Sequence, residues 1–124
     1  MLRIELFIFI RSLPQFSSNI FEELERIEPY LEVLGLEKDQ EPISESGWIL
    51  VYDGKLALPG GKTFERGDTL YFGRANRARA VQPSTLILFS ETRLDKFLKE
   101  EPELAVALAE KMRAFKLRWE RNEI

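Results

Sequence analysis

The stretch "GWILVYDGKLAL", Gly47 to Leu58, places the dipeptide Asp53-Gly54 between two apolar runs. Glycine accepts a positive φ and aspartate tolerates it, so this dipeptide predicts a two-residue β-hairpin. Further turn residues follow at similar spacing, at 59–61 and at 66–68. Short apolar runs between closely spaced turns are typical of antiparallel strands. We therefore predict a region of short strands without crossover helices.

Helix signals lie on both sides of this region. The segment before it is rich in glutamate near its start and reaches Pro29, which ends a helix. After the strands, Ser90 or Thr92 can cap a helix, and Pro102 suits the first turn of another. The predicted fold class is mainly β with flanking α, an antiparallel jelly-roll-like β-barrel with one N-terminal helix and two C-terminal helices. The predicted bounds are a helix at about 18–28, the barrel at about 30–90, and helices at about 91–100 and 102–121.

Composition limits the classes of function. The 124 residues are 44% hydrophobic, which suits one domain spanning residues 1–124 around one core. The absence of cysteine and histidine removes thiolate nucleophiles, disulfides and the commonest metal ligand and general base. The apolar run at 6–10 is too short for a membrane span, and Glu5 before it is atypical of a secretion signal. We predict a cytoplasmic protein with no enzyme activity, no catalytic residues, no cofactor, no metal and no membrane partner.

Charge is distributed unevenly along the chain. Residues 1–50 contain four Lys/Arg and ten Asp/Glu, so the acidic excess lies in the first part. The last fifteen residues are mildly basic, but glutamates interrupt the cations, as on an ordinary solvated helix. Binding of nucleic acid is therefore not predicted.

Four pieces of sequence, in order, resemble a known family. They are "IRSLPQFSSNIFEELERI" at 10–27, "GWILVYDGKLAL" with its glycine turn, "FERGD" at 64–68, and "LDKFLKEEPELAVALAEKM" at 94–112 with its central proline. Together they are similar to the cyclic-nucleotide-binding domain of the catabolite activator protein, of kinase regulatory subunits and of cyclic-nucleotide-gated channels. The resemblance covers about residues 10–115 and implies a degenerate, stand-alone domain of this kind.

The family's phosphate-binding cassette is the candidate ligand site that the resemblance implies. There a Gly-Glu pair, a short helix, and an arginine followed by small residues surround the cyclic phosphate and the ribose. Arg77 and Ala78 match the arginine and the small residue, and Gly73 matches the glycine. Arg74 stands where the ribose-binding glutamate is expected, and Arg79 stands where a small residue is usual. Only three residues separate Gly73 from Arg77, too few for a helical turn with its connections.

The side on which the arginines lie decides between two interpretations. If residues 77–81 form a strand, Arg77 and Arg79 share one side and the alanines between and after them share the other. The arginines are then solvated or paired with the acidic first part of the chain, for example with Glu32 or Glu37. The alternative is a phosphate site that uses Arg77 and nearby backbone.

The last helix has an apolar stripe with three-four spacing. Through this stripe the helix packs on its own barrel, or it pairs with the same helix of a second copy across a two-fold axis, as in the resembled family. We predict a homodimer through this helix, or else an unidentified protein partner. The predicted seam consists of Leu108, Met112, Phe115 and Trp119.

Three functions are consistent with these features. The first is a non-enzymatic regulatory or protein-interaction module whose shortened cassette binds neither cyclic AMP nor cyclic GMP at low micromolar concentration. The second is a sensor of a cyclic nucleotide or another small anion that uses Arg77 and nearby backbone. The third is a cupin-like enzyme acting through carboxylates, although cupins hold metal mainly through histidines, which this chain lacks.

Overall fold

The strands of the protein lie between two short N-terminal helices and two C-terminal helices. The structure is a computed structural model that describes residues 2–42, 45–73 and 77–123. Its elements are α1 Arg3–Arg11, a 3₁₀ turn Pro14–Phe16, α2 Phe21–Ile27, a 3₁₀ turn Glu28–Tyr30, β1 Glu32–Leu36, β2 Gly47–Asp53, β3 Lys55–Ala57, β4 Thr63–Glu65, β5 Thr69–Phe72, β6 Arg79–Ala80, β7 Ser84–Ser90, α3 Glu91–Glu100 and α4 Pro102–Glu120.

The strands form two antiparallel sheets. The four-stranded sheet has the order β1-β7-β2-β5, and the three-stranded sheet has the order β4-β3-β6. The predicted antiparallel β core with flanking helices is confirmed, and no helix crosses between strands within the described chain. The closed barrel is not observed, because no ladder joins the edges of the two sheets. Strands β3, β4 and β6 are only two or three residues long and offer little backbone for such closure.

The central strands β2 and β7 are buried on both faces. In β2, Trp48 and Leu50 pack into the helix-side core, the hydrophobic core that contains residues of all four helices. Ile49 and Val51, which point the other way, pack into the core between the two sheets. A strand covered on both faces needs a continuous apolar run rather than an alternating one. This double cover explains the run "WILV" at its centre.

The predicted hairpin at Asp53-Gly54 is wrong, although a turn is present there. Strands β2 and β3 belong to different sheets, so the dipeptide forms a corner between sheets. Gly54 has a φ of 96°, and a Cβ at this position would lie 2.2 Å from the Ser84 Oγ. A register shift between Val51 and Asp53 bends β2 just before the corner. The turn residues therefore indicate a change of direction but do not determine which strands pair.

The other two predicted turns are confirmed. The turn at 59–61 joins the paired strands β3 and β4, and the Gly61 N–H donates to the Leu58 carbonyl at 2.9 Å. The turn at 66–68 carries the chain from β4 back to the four-stranded sheet, and the Asp68 N–H donates to the Glu65 carbonyl at 2.9 Å.

The N-terminal region contains two helices where the sequence predicts one. The helix predicted at about 18–28 is observed as α2, and α1 precedes it. The run "LFIFI" in α1 is rich in aromatic and β-branched residues, which are typical of strands, and its helix buries four apolar side chains in the helix-side core. Tertiary burial therefore outweighs local propensity in this segment. Among the described residues, no helix is both long and apolar enough to cross a membrane.

The two C-terminal helices agree with the predicted bounds to within one residue. The Ser90 hydroxyl caps α3 by accepting a hydrogen bond from the Arg93 N–H at 3.1 Å. Pro102 occupies the first turn of α4. These ends depend on local backbone chemistry, which explains why sequence alone locates them.

The apolar stripe of α4 packs against the protein's own cores. Leu108 and Met112 are buried, and Phe115 and Trp119 are half-buried against the helix-side core. The Trp119 ring stacks on Phe115 at 6.2 Å and lies 5.7 Å from the Phe64 ring of β4. The sequence allowed two covers for this stripe, the protein's own strands or a twin helix. In the structure, the protein's own cores cover it. A homodimer through α4 remains a prediction, but the buried Leu108 and Met112 of the predicted seam cannot form its surface.

The corner at Gly54 provides a stability test. We expect Gly54→Ala to lower the free energy of unfolding by about 2–4 kcal/mol, because alanine disfavours the positive φ and its Cβ meets Ser84. Urea unfolding measures the change. Gly60→Ala is the matched control, since a Cβ there meets nothing within 4 Å, and its effect should stay within about 1 kcal/mol. Equal midpoints for the two variants would contradict the corner.

An ion pair between Arg26 of α2 and Glu101, which lies between α3 and α4, predicts a pH dependence of stability. The pKa of Glu101 is lowered, mainly by the hydrogen bond from Arg26, and desolvation opposes this only in part. Because the pKa of Glu101 is lower in the folded state than in the unfolded state, the ion pair stabilises the fold at pH values above the unfolded-state pKa. This stabilisation is lost as the pH falls through the folded-state pKa.

We therefore expect wild type to exceed Arg26→Gln in unfolding free energy at about pH 7, with a difference that shrinks toward about pH 3. Urea titrations at several pH values measure it. The control is Lys38→Gln, an exposed lysine with no ion pair in the part of the chain that the structure describes. A difference for Arg26→Gln that does not change with pH would contradict the coupling.

Candidate functional site

The segment between β5 and β6 contains the residues that the resemblance assigns to the cassette. Gly73 directly follows β5, and Arg77 and Ala78 directly precede Arg79 of β6. Arg74, the residue predicted to replace the ribose acceptor, lies outside the described residues. The structure brings Arg77, Ala78 and Arg79 to one surface cavity, and Gly73 does not line it.

Side chains alternate between the two sides of this segment, as predicted. Ala78 and Ala80 are buried in the core between the sheets. The Arg77 and Arg79 side chains are 72% and 55% exposed. The guanidinium groups therefore lie at the surface, and the small residues fill the interior.

Both arginines form ion pairs with the acidic first part of the chain. The Arg77 Nη2 lies 3.0 Å from the Glu41 Oε1, and the Arg77 Nε donates to the same oxygen at 3.2 Å. The Arg79 Nη1 donates to the Asp39 Oδ1 at 2.8 Å. Each of these two guanidinium groups is thus matched by a carboxylate of the same chain.

The partners of the arginines differ from Glu32 and Glu37, the examples that the sequence suggested. The loop after β1 bonds to β6, because the Asp39 N–H donates to the Ala80 carbonyl at 2.7 Å and the Ala80 N–H donates to the Gln40 carbonyl at 2.9 Å. These bonds place the carboxylates of that loop beside the arginines. Glu32 instead lies 3.7 Å from an arginine of α3.

The cavity beside the arginines has a volume of about 320 Å³. Glu41 and the β3–β4 turn form its other walls. Behind Ala78, the interior is filled by buried side chains such as Leu56 and Leu70, and Trp119 of α4 packs against the same core. The cavity is a surface recess whose charges are already paired, not an opening into the space between the sheets.

A second cavity, of about 670 Å³, lies between the first 3₁₀ turn, the β4–β5 turn and α4. This cavity was not predicted from the sequence. The sequence feature that could have indicated it is the pair Lys111 and Arg118. These residues lie seven positions apart and so share one face of α4. Within the described ranges, no group of three or more Asp or Glu side chains could hold a metal ion.

No protein-family model and no curated protein matches the chain. Solved structures do match it. A putative cyclic nucleotide-binding protein from Geobacter metallireducens is 18% identical, with a TM-score of 0.68 over 94% of this chain and 97% of that one. The N-terminal domain of a transcriptional regulator from Streptomyces coelicolor is 18% identical, with a TM-score of 0.64 over 93% and 94%.

The sensor domain of the transcriptional regulator DNR from Pseudomonas aeruginosa is also 18% identical, with a TM-score of 0.63 over 98% of this chain and 94% of that one. All three proteins are regulators or cyclic-nucleotide-binding proteins by description. Their similarity extends over nearly the whole chain and includes both the β core and the flanking helices. The chain therefore has the fold of the cyclic-nucleotide-binding domains.

Proposed function

We propose that the protein is a non-enzymatic regulatory or protein-interaction module whose cassette no longer binds cyclic nucleotides. The shortness of the segment between Gly73 and Arg77 carries this proposal, and the ion pair between Arg77 and Glu41 supports it. A cyclic phosphate would have to displace Glu41 from the guanidinium. Exposed ion pairs contribute only about 0–1 kcal/mol, so this displacement is a modest barrier by itself.

The larger barrier is the shortness of the loop. Helix N-terminal N–H groups point at a bound phosphate and favour its negative charge. Three residues between Gly73 and Arg77 cannot present such a helix together with its connections. Arg74 also replaces the expected ribose acceptor with a cation. These features leave Arg77 without the backbone donors and the ribose acceptor of a complete site.

Similarity to regulators supports the regulatory part of the proposal. The chain shares its fold with domains of two transcriptional regulators. A module of this kind can act through its surface without chemistry of its own. A cupin-like enzyme would need a carboxylate cluster for metal, and nothing in the described residues supports one. We do not propose that function.

The alternative function is a sensor of a small anion at Arg77. The adjacent cavity, about 320 Å³, lies at the lower end of the range for small-molecule sites. An anion there would exchange with the Glu41 carboxylate. The two functions differ in a measurable way, because only the sensor binds a cyclic nucleotide or another small anion at Arg77.

We expect cyclic AMP and cyclic GMP at roughly 100 µM to leave the melting temperature of the wild type unchanged, since a ligand at a hundred times its Kd would add about 2.7 kcal/mol and several degrees. Glu41→Gln releases Arg77 from its ion pair at nearly constant side-chain shape and should also remain unaffected, because the short loop is still present. A shift in wild type that Arg77→Ala abolishes would establish the sensor instead.

The outer face of α4 is the surface that we propose for self-association. Val106 and Leu117 are 49% and 46% exposed, and eleven residues, or three turns, separate them on one side of the helix. Glu110 and Arg113 lie between them, and neither forms an ion pair with any described residue. This face is distinct from the buried stripe of Leu108 and its companions.

The pattern on this face is self-complementary. An antiparallel, two-fold pair of α4 helices centred between residues 111 and 112 would place Val106 opposite Leu117 of the second copy. The same axis would place Glu110 opposite Arg113 of the second copy. A two-fold interface requires this reciprocity: if one residue contacts a second residue on the other copy, that second residue also contacts the first residue of the other copy. The proposed occupant of the face is therefore a second copy of the chain.

We expect wild type to sediment as a dimer at tens of micromolar, and Glu110→Arg or Arg113→Glu to weaken the dimer by about fivefold to tenfold through like-charge contacts. The double variant that exchanges the two charges should restore association. Lys99→Glu on α3 serves as the control and should have no effect. A monomeric wild type at about 100 µM, or a double variant as weak as the single ones, would exclude this dimer.

A further inference from the structure

Among the described residues, the larger cavity shares no lining residue with the cavity beside Arg77. Its volume of about 670 Å³ lies in the middle of the range for small-molecule sites. Three aromatic side chains contribute to its wall, Trp48 of β2, Phe64 of β4 and Phe115 of α4. Such a wall suits a flat apolar body.

Cations predominate among the charged residues of this cavity. Lys62, Lys111 and Arg118 line it, and the carboxylate among its described lining residues is that of Asp68. The Asp68 Oδ2 accepts a hydrogen bond from the Glu65 N–H at 2.8 Å, which holds it in the β4–β5 turn. The cavity therefore carries an excess of positive charge, unlike the recess beside Arg77.

The cations on α4 are positioned but not neutralised. The Lys111 Nζ donates to the Gln15 carbonyl at 3.1 Å, which leaves two of its three N–H groups for other acceptors. The Gln15 side chain in turn donates to the Thr69 Oγ1 at 2.8 Å, so this wall is held in place. Neither Lys111 nor Arg118 forms an ion pair with any residue that the structure describes.

We propose that this cavity binds a small organic anion with a planar apolar body and a carboxylate, sulfonate or phosphate group. The body lies against the aromatic wall, and the anionic group lies between Lys111 and Arg118, two turns apart on α4. The aromatic wall supplies apolar burial, and the two cations supply charge-assisted hydrogen bonds. The proposal is independent of the cassette, because it involves none of its residues.

Two fluorescent probes that share one aromatic skeleton test both parts of the proposal. They are 8-anilinonaphthalene-1-sulfonate and its neutral analogue N-phenyl-1-naphthylamine, which lacks the sulfonate. We expect the sulfonate probe to bind the wild-type protein saturably at one site, and about tenfold more tightly than the neutral probe. Lys111→Gln and Arg118→Gln should each weaken the sulfonate probe by about fivefold and leave the neutral probe unchanged.

The control variants separate the site from non-specific binding. Lys38→Gln removes an exposed cation remote in sequence from the cavity wall and should change neither probe. Ala114→Trp fills the cavity from α4 and should abolish binding of both probes, while near-ultraviolet circular dichroism verifies that each variant keeps its tertiary packing. Absence of saturable binding, equal affinity for the two probes, or equal losses in Lys38→Gln would overturn the proposal.

Discussion

The burial of β2 and β7 on both faces is the constraint on which the rest of the structure depends. These neighbouring strands have no face that can meet water, because apolar side chains project from both sides. Burial of such surface yields roughly 25 cal/mol per Å², so each face requires its own cover. The helices cover one face, and the small second sheet covers the other.

The same constraint determines what the cassette segment can do. The core between the sheets takes Ala78 and Ala80, and strand alternation then directs Arg77 and Arg79 outward. Once outside, both guanidinium groups are matched by carboxylates of the loop after β1, which bonds to β6. The two surface cavities thus differ in their charge balance. The recess at Arg77 contains paired charges, whereas Lys111 and Arg118 of the larger cavity form no ion pair with a described residue.

Features that depend on local chemistry were predicted well from sequence. The bounds of α3 and α4, the turn positions and the placement of Arg77 and Arg79 on one side of their segment, opposite the alanines, were all predicted. Features that depend on distant contacts were predicted poorly. Helix α1 was missed because its burial overrides a strand-like composition. The pairing at Gly54 was wrong because β2 pairs with the distant strands β5 and β7 in one sheet, and β3 pairs with β4 and β6 in the other. The carboxylate partners of the arginines were identified only as a class.

The sequence by itself determined where the chain turns, where the C-terminal helices begin and end, and that short antiparallel strands lie between the helices, because these follow from backbone preferences and apolar patterns over a few residues. Only the tertiary structure decided that two open sheets form in place of a closed barrel. It also decided that the α4 stripe covers the protein's own core, and that Lys111 and Arg118 face the β4–β5 turn across a cavity. The physical reason is that strand pairing, the cover of apolar faces and the formation of cavities depend on contacts between residues far apart in the chain. The local preference of a segment carries no information about which distant surface will pack against it.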